Sequence, residues 1–189
     1  MLKKYFNSHS FLKMEEIESA LPLFKEVQLN KGEYFITDTI ICNQIAFVVK
    51  GSFRGFVVDD KGNEVNICLK LENQFITSYE SFLNQQPSKK NIQAMEKCDL
   101  LIINRDSLIN LLDKFPSFNF LIKAVAEQEL IEKENFLIHL NNKSGKEKYL
   151  FILNYYPDFI RRVKLSDLAS FIGVTPRTVS RIRKNLSGN

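Results

Sequence analysis

The chain has 189 residues, 44% of them apolar and 25% charged, with a formal net charge of +4. This is the balance of a folded soluble protein of one domain or two small ones. Seven Gly and five Pro exclude collagen-like or linker-like character, and no apolar run approaches the ~20 residues that span a bilayer.

Met1–His9 carries a little charge with no long apolar stretch after it. No signal peptide and no membrane partner are expected, and the expected location is cytoplasmic. Cys42, Cys68 and Cys98 are odd in number, widely spaced and set in apolar stretches. They read as buried small hydrophobes, with no disulfide framework and no metal knuckle. The only histidines are His9 and His139, too few for a zinc, non-haem iron or Ser-His-Asp site. No metal, catalytic residue or cofactor is identified.

In chain order, residues 10–24 predict a helix, with Ser10 as its cap, Met14, Ile17, Ala20 and Leu21 at helical spacing, and Pro22 closing it. From Val27 to about Asn104 the pattern turns to short strands: Ile45–Lys50, Ser52–Val58, Glu64–Leu71, Ile92–Met95 and Leu100–Ile103. Asp59-Asp60-Lys61-Gly62-Asn63 is a hairpin turn, because Asp and Gly tolerate positive φ. Many short strands at near-regular spacing predict an antiparallel barrel or roll. Arg105–Lys114 reads as a helix that Pro116 breaks, and a long helix follows from about Phe118 to Asn141. Its seam of Leu121, Val125, Gln128, Ile131 or Glu132, Asn135 and Ile138 has near-heptad spacing and predicts a two-stranded dimer contact. Asn141–Gly145 is a polar break and the best domain boundary, after which Glu147–Tyr155 is a short helix.

Charge divides at that boundary. Residues 1–140 hold 16 Lys/Arg and 19 Asp/Glu, whereas residues 141–189 hold 10 and 3. A basic segment with ordered apolar periodicity points to a polyanion partner.

Residues 165–184 fit a helix-turn-helix. Ser166 is a candidate cap, Leu168 and Ile172 lie on one buried face, and Ala169 is small where two helices cross. Gly173 permits the tight turn, Val174 fills the gap, Thr175 caps the second helix and Pro176 suits its first position. In the second helix Val179, Ile182 and Leu186 form the buried stripe, while Arg177, Arg181 and Lys184 share another face flanked by Thr178 and Ser180. One apolar face and one cationic, hydrogen-bonding face are what a recognition helix needs. The candidate DNA-binding residues are therefore Thr175, Pro176, Arg177, Thr178, Ser180, Arg181 and Lys184.

The chain resembles the Crp/Fnr family of bacterial transcription regulators over nearly its whole length. The most specific stretch is Gly173–Ile182, supported by Lys50-Gly51-Ser52, the Asp60–Glu64 hairpin and Phe115-Pro116. The resemblance implies an α+β architecture: an N-terminal antiparallel β-roll of cyclic-nucleotide-binding type, a long dimerisation helix and a C-terminal all-α helix-turn-helix domain. The expected units are 1–114, 115–141 and 142–189. The implied partners are double-stranded DNA, a second copy of the chain and RNA polymerase. The family's three base-reading positions fall on Pro176, Arg177 and Arg181. Arg181 keeps the family's residue, while Pro176 and Arg177 depart from the Arg-Glu pair of the cyclic-AMP receptor, so a different DNA preference is expected. The family's wing after the recognition helix is not expected, since the sequence ends at Asn189.

The family's nucleotide cassette has Phe-Gly-Glu and, about ten residues on, Arg-Ser or Arg-Thr. Here Phe75-Ile76-Thr77-Ser78 and Ser88-Lys89 stand in those places, so both charged anchors are absent. Cyclic AMP is not expected as the ligand; Lys89 or Lys90 supplies at most a point charge. The candidate pocket residues are Thr77, Ser78, Tyr79, Ser88, Lys89 and Lys90. Two other readings are weighed. One is a ligand-binding signalling module whose basic helix pair contacts a protein or RNA. The other, a cupin-like enzyme, is disfavoured because residues 27–104 contain no histidine.

Overall fold

A computed structural model describes residues 1–187; positions 188 and 189, the end of the expected C-terminal unit, lie outside the described residues. Helices α1 (Leu2–Asn7) and α2 (Met14–Ala20) lead through a 3-10 turn, Leu21–Leu23, into the strands. These are β1 (Lys25–Leu29), β2 (Tyr34–Ile36), β3 (Gln44–Lys50), β4 (Phe53–Val58), β5 (Glu64–Lys70) and β6 (Phe75–Ile76), then helix α3 (Tyr79–Asn84), β7 (Asn91–Ala94) and β8 (Cys98–Asn104). Six helices follow: α4 (Arg105–Lys114), α5 (Ser117–Leu140), α6 (Gly145–Tyr155), α7 (Pro157–Arg162), α8 (Leu165–Phe171) and α9 (Pro176–Ser187). No helix among the described residues is long and apolar enough to cross a membrane.

The strands form two four-stranded antiparallel sheets, β1-β8-β3-β6 and β2-β7-β4-β5, which is the expected roll. The hairpin between β4 and β5 turns at Asp59–Asn63. There Asp59 Oδ1 accepts from the backbone N–H of Lys61 and of Asn63, at 2.9 and 2.8 Å, and Gly62 takes φ +80°. The bond from the Asn63 side chain and those backbone donors hold the Asp59 carboxyl below its usual range.

The helix expected over residues 10–24 is shorter. It starts at Met14, and Ser10 does not cap it: the free N–H of Lys13 donates instead to Glu16 Oε2 at 2.7 Å. Leu21–Leu23 tightens into the 3-10 turn, where Pro22 supplies no N–H. Helix α1 was not expected; its Leu2 and Phe6, four apart, are buried in the roll's core, with Phe6 edge-on to Phe118 at 5.5 Å.

Two apolar cores result. The larger lies between the sheets and is closed by α1, α4 and the first turns of α5. The smaller joins Tyr149, Ile152, Phe159, Leu168, Ile172 and Val179 to Leu69 of β5, with Phe136 and Leu140 of α5 against it. The C-terminal helices are therefore seated on the roll. Asn66 of β5 accepts the seat: its N–H donates to Ser170 Oγ at 3.0 Å and its Nδ2 donates to Asp167 O at 3.0 Å. Arg54 bridges Glu64 at 2.6 Å and Asp167 at 3.5 Å. At the other edge Arg162, ending α7, donates to both oxygens of Glu72 at 2.6 and 2.8 Å and to Glu96 at 2.6 Å. Glu72 also accepts from the Gly51 N–H, and Glu96 from Ser52 Oγ.

Gly51 turns the corner between β3 and β4 at φ +103°, and a Cβ there would lie 2.4 Å from Cys98 Sγ and 2.9 Å from the Cys98 Cα. Gly51→Ala thus combines a disfavoured dihedral with a backbone clash and should cost roughly 1–3 kcal/mol, read as a lower urea midpoint.

The Arg162 guanidinium beside Glu72 holds its carboxyl down at about 2, against the usual 4.5. A carboxyl depressed in the folded state stabilises fully above pH 4.5, and that contribution is lost as pH falls towards 2. Glu72→Gln should therefore flatten the loss of stability between neutral pH and pH about 3. Equal pH dependence in both proteins, read by urea unfolding, would rule the clamp out.

Candidate nucleic-acid interface and ligand cavity

Ser144 starts the C-terminal helices. Its side chain accepts from the Glu147 N–H while Glu147 reaches back to the Ser144 N–H at 2.9 Å. This reciprocal cap explains why the polar break ends where it does. Helix α8 begins at Leu165 with Lys164 at its N-cap, so Ser166 lies inside the helix and is not the cap that was expected. Gly173, at φ +67°, reverses the chain: its N–H donates to Ser170 O, and the Val174 N–H donates to Ala169 O at 2.9 Å. Thr175 Oγ1 then accepts from the Thr178 N–H at 3.2 Å and Pro176 opens α9.

Leu168 and Ala169 of α8, with Ile172 just after it, meet Val179 and Ile182 of α9 in the smaller core. Leu186 is a correction: it is exposed, because the core ends one turn earlier. Arg183 is turned inward, its guanidinium donating to Tyr149 Oη at 3.1 Å and to Ile160 O at 3.4 Å, so it pins α9 to α6 and the end of α7. The opposite face carries Arg177, Ser180, Arg181 and Lys184, all exposed, with Thr175 and Pro176 exposed at its start. Thr178 is half-buried, its hydroxyl 2.9 Å from that of Thr175. Among the described residues Arg177, Arg181 and Lys184 meet no carboxylate. The structure thus brings the seven expected residues onto one end and face of α9, with three cations free to meet an anion.

The second site is a cavity of about 380 Å³ between the roll and α5. Its wall is largely apolar, from Phe53, Phe75, Ile92, Leu121, Ile122 and Val125 among others. Thr77, Tyr79 and Lys90 line it as expected, but Ser78, Ser88 and Lys89 do not. The reason is local. Ser88 Oγ donates to Ser78 Oγ at 2.8 Å or to Lys90 O at 2.7 Å, with both serine side chains buried, while Lys89 swings outward to Glu80. Sequence reasoning missed Lys70, Glu129 and Lys133, which also line the cavity; Lys70 and Glu129 form an ion pair across it, from β5 to α5. Cys68 lines it too and is only half-buried, unlike Cys42 and Cys98.

The expected seam of α5 divides. Leu121 and Val125 pack on the roll, so they are not available to a partner. The outward apolar stripe is Phe120, Ile131 and Ile138, widened by Leu130 and Leu137, all exposed. Phe120, Ile131 and Ile138 are eleven and seven residues apart, which keeps them on one helix face.

Residues 26–115 match the family model of the cyclic nucleotide-binding domain. No curated protein sequence matches the chain. Among solved structures, the chain is similar to FixK2 from Bradyrhizobium japonicum, at 17% identity over 87% of this chain and 85% of that one, with a TM-score of 0.74. It is similar to the c-di-GMP-responsive global regulator CLP of Xanthomonas campestris, at 16% identity over 93% and 92%, TM-score 0.73. A protein of Eubacterium rectale assigned to the Crp/Fnr transcriptional regulators aligns at 14% identity over 97% and 88%, also with a TM-score of 0.73. Residues 26–115 are therefore similar to the cyclic nucleotide-binding domain, and the chain has the fold seen in Crp/Fnr transcription regulators.

Proposed function

We propose that the chain is a homodimeric, sequence-specific DNA-binding transcription regulator of the Crp/Fnr family, acting in the cytoplasm. Its units would be a sensor roll, 1–114, a dimerisation helix, 115–141, and a DNA-reading head, 142–189. The observation that carries this is α9: one face buried by Val179 and Ile182, the other presenting Arg177, Arg181 and Lys184 with no acidic partner among the described residues. Two such helices, related by a two-fold axis along α5, would enter successive major grooves about 34 Å apart. Arg181 suits bidentate bonding to guanine O6 and N7, while Lys184 and Ser180 suit phosphates. No enzymatic activity is proposed, and RNA polymerase is proposed as a partner on the resemblance alone.

Coupling between sensor and head would run through two shared elements. β5 gives Ile67, Cys68 and Lys70 to the cavity and Asn66 and Leu69 to the head. α5 gives Leu121, Val125, Glu129 and Lys133 to the cavity and Phe136 and Leu140 to the head. A ligand that binds one spacing of β5 and α5 better than another would shift the head's position.

In-vitro selection from random duplex DNA should recover an inverted repeat with half-sites about one helical turn apart. Enrichment of no sequence by folded protein, or equal binding of RNA, would favour the signalling-module reading instead. Arg181→Ala should cost about 1–3 kcal/mol on the selected site and relax one base position. Lys184→Ala should weaken all duplexes alike and shallow the salt slope by about one. Ile131→Glu would place like charges on facing helices near the two-fold and should weaken dimerisation at least about tenfold by sedimentation, a factor equivalent to about 1.4 kcal/mol.

A further inference from the structure

We infer that the cavity between the roll and α5 takes an apolar compound bearing one anionic group, a hydrocarbon acid, rather than a cyclic nucleotide. This rests on the sensing role proposed above and names the ligand class of that site. A nucleotide sugar needs acceptors and donors for its hydroxyls, and a cyclic phosphate needs a forked donor. The cavity offers no forked donor, and the hydroxyls in its lining are those of Thr77, already donating to Gln44 O, and of Tyr79 at the rim. Its lining holds no arginine and one carboxylate, Glu129, which is already engaged by Lys70. The two positions where the resemblance places nucleotide anchors, Ser78 and Ser88, are buried and bonded to each other, so their hydroxyls face away from any guest.

What remains has two parts. The body is a wall of aromatic and branched aliphatic side chains from both the roll and α5, and its volume of about 380 Å³ falls within the range of small-molecule sites. A hydrocarbon fills such a space at a gain proportional to the area it removes from water. The polar part is Lys90 on the roll and Lys133 on α5. Both line the cavity, and among the described residues neither ammonium meets a carboxylate. Thr77 adds no free donor, since its hydroxyl donates to Gln44 O at 3.1 Å. With Lys70 neutralised by Glu129, the lining is left with two uncompensated positive charges near a low-dielectric wall. A single anion there is attracted by both, and a neutral guest forgoes that attraction. The rim at Tyr79 and Lys133 is exposed, which gives the guest a way in.

Calorimetric titration of the full-length protein, without DNA, tests this with three probes kept below micelle-forming concentrations: decanoate, decanol and cyclic AMP. Decanoate should bind at least about tenfold more tightly than decanol, the discrimination of one charge-assisted contact, and cyclic AMP should not bind. Lys90→Gln should lower decanoate affinity about tenfold and leave decanol unchanged. Ala126→Phe, which fills the cavity from α5, should abolish both. Should Ala126→Phe fail to fold, the Lys90→Gln comparison decides alone, because Lys90 is half-exposed. Equal affinity for acid and alcohol, indifference of decanoate to Lys90→Gln, binding of cyclic AMP, or no binding by any probe would overturn the inference. DNA selection is read separately, so failure of the ligand class leaves DNA recognition standing, and failure of DNA recognition leaves the chemistry of the cavity standing.

Discussion

Strand β5 is packed on both sides, and what it touches on one side is tied through it to what it touches on the other. On one side is a cavity bridged by the Lys70–Glu129 pair, and on the other is the C-terminal head, held through Asn66 and Leu69. A strand in this position cannot shift towards one neighbour without loosening the other. The long helix α5 is constrained in the same way, with Leu121 in the roll's core and Phe136 in the head's. Packed interiors are close to incompressible. The proposed coupling rests on this shared packing: a guest that changed the spacing of β5 and α5 would press on the head through Leu69 and Phe136.

Polar contacts decide how firmly the head is held. Arg162 meets two carboxylates, and both are anchored from behind, Glu72 by the Gly51 N–H and Glu96 by the Ser52 hydroxyl. Burial opposes ionisation of Glu96, but the bonds from Ser52 and Arg162 outweigh it and hold its carboxyl below the usual range. Partly exposed pairs of this kind contribute on the order of 1 kcal/mol each. Gly51 serves twice here, as the corner that clears Cys98 and as a donor to the clamp.

Much of this was legible from the residues. Periodicity placed α4 at Arg105–Lys114, and turn chemistry placed the β4–β5 hairpin, because both signals are local. The helix-turn-helix was legible for the same reason: Gly173, Thr175 and Pro176 each satisfy a backbone need within a few residues. What escaped was long-range. Helix α1 sits in a charged-looking leader and is held by the roll's core. Asn66 lies 101 residues from Asp167 and 104 from Ser170, and no spacing rule pairs them. The α5 seam was only half right, because heptad spacing shows that a face is apolar without showing whether the roll or a second helix covers it. Leu121 and Val125 went to the roll, and the stripe one residue earlier, from Phe120, was left outside.

Ser78 and Ser88 are buried polar side chains, and a buried hydroxyl left without a partner costs roughly 1–3 kcal/mol. Ser78 and Ser88 avoid this by bonding to each other, and the Ser88 hydroxyl is also within bonding reach of Lys90 O. Lys90 follows Ser88 by two residues, and the Lys90 N–H donates back to Ser88 Oγ at 3.2 Å. The bonds that satisfy the two buried serines thus also fix the backbone from which Lys90 reaches the cavity wall.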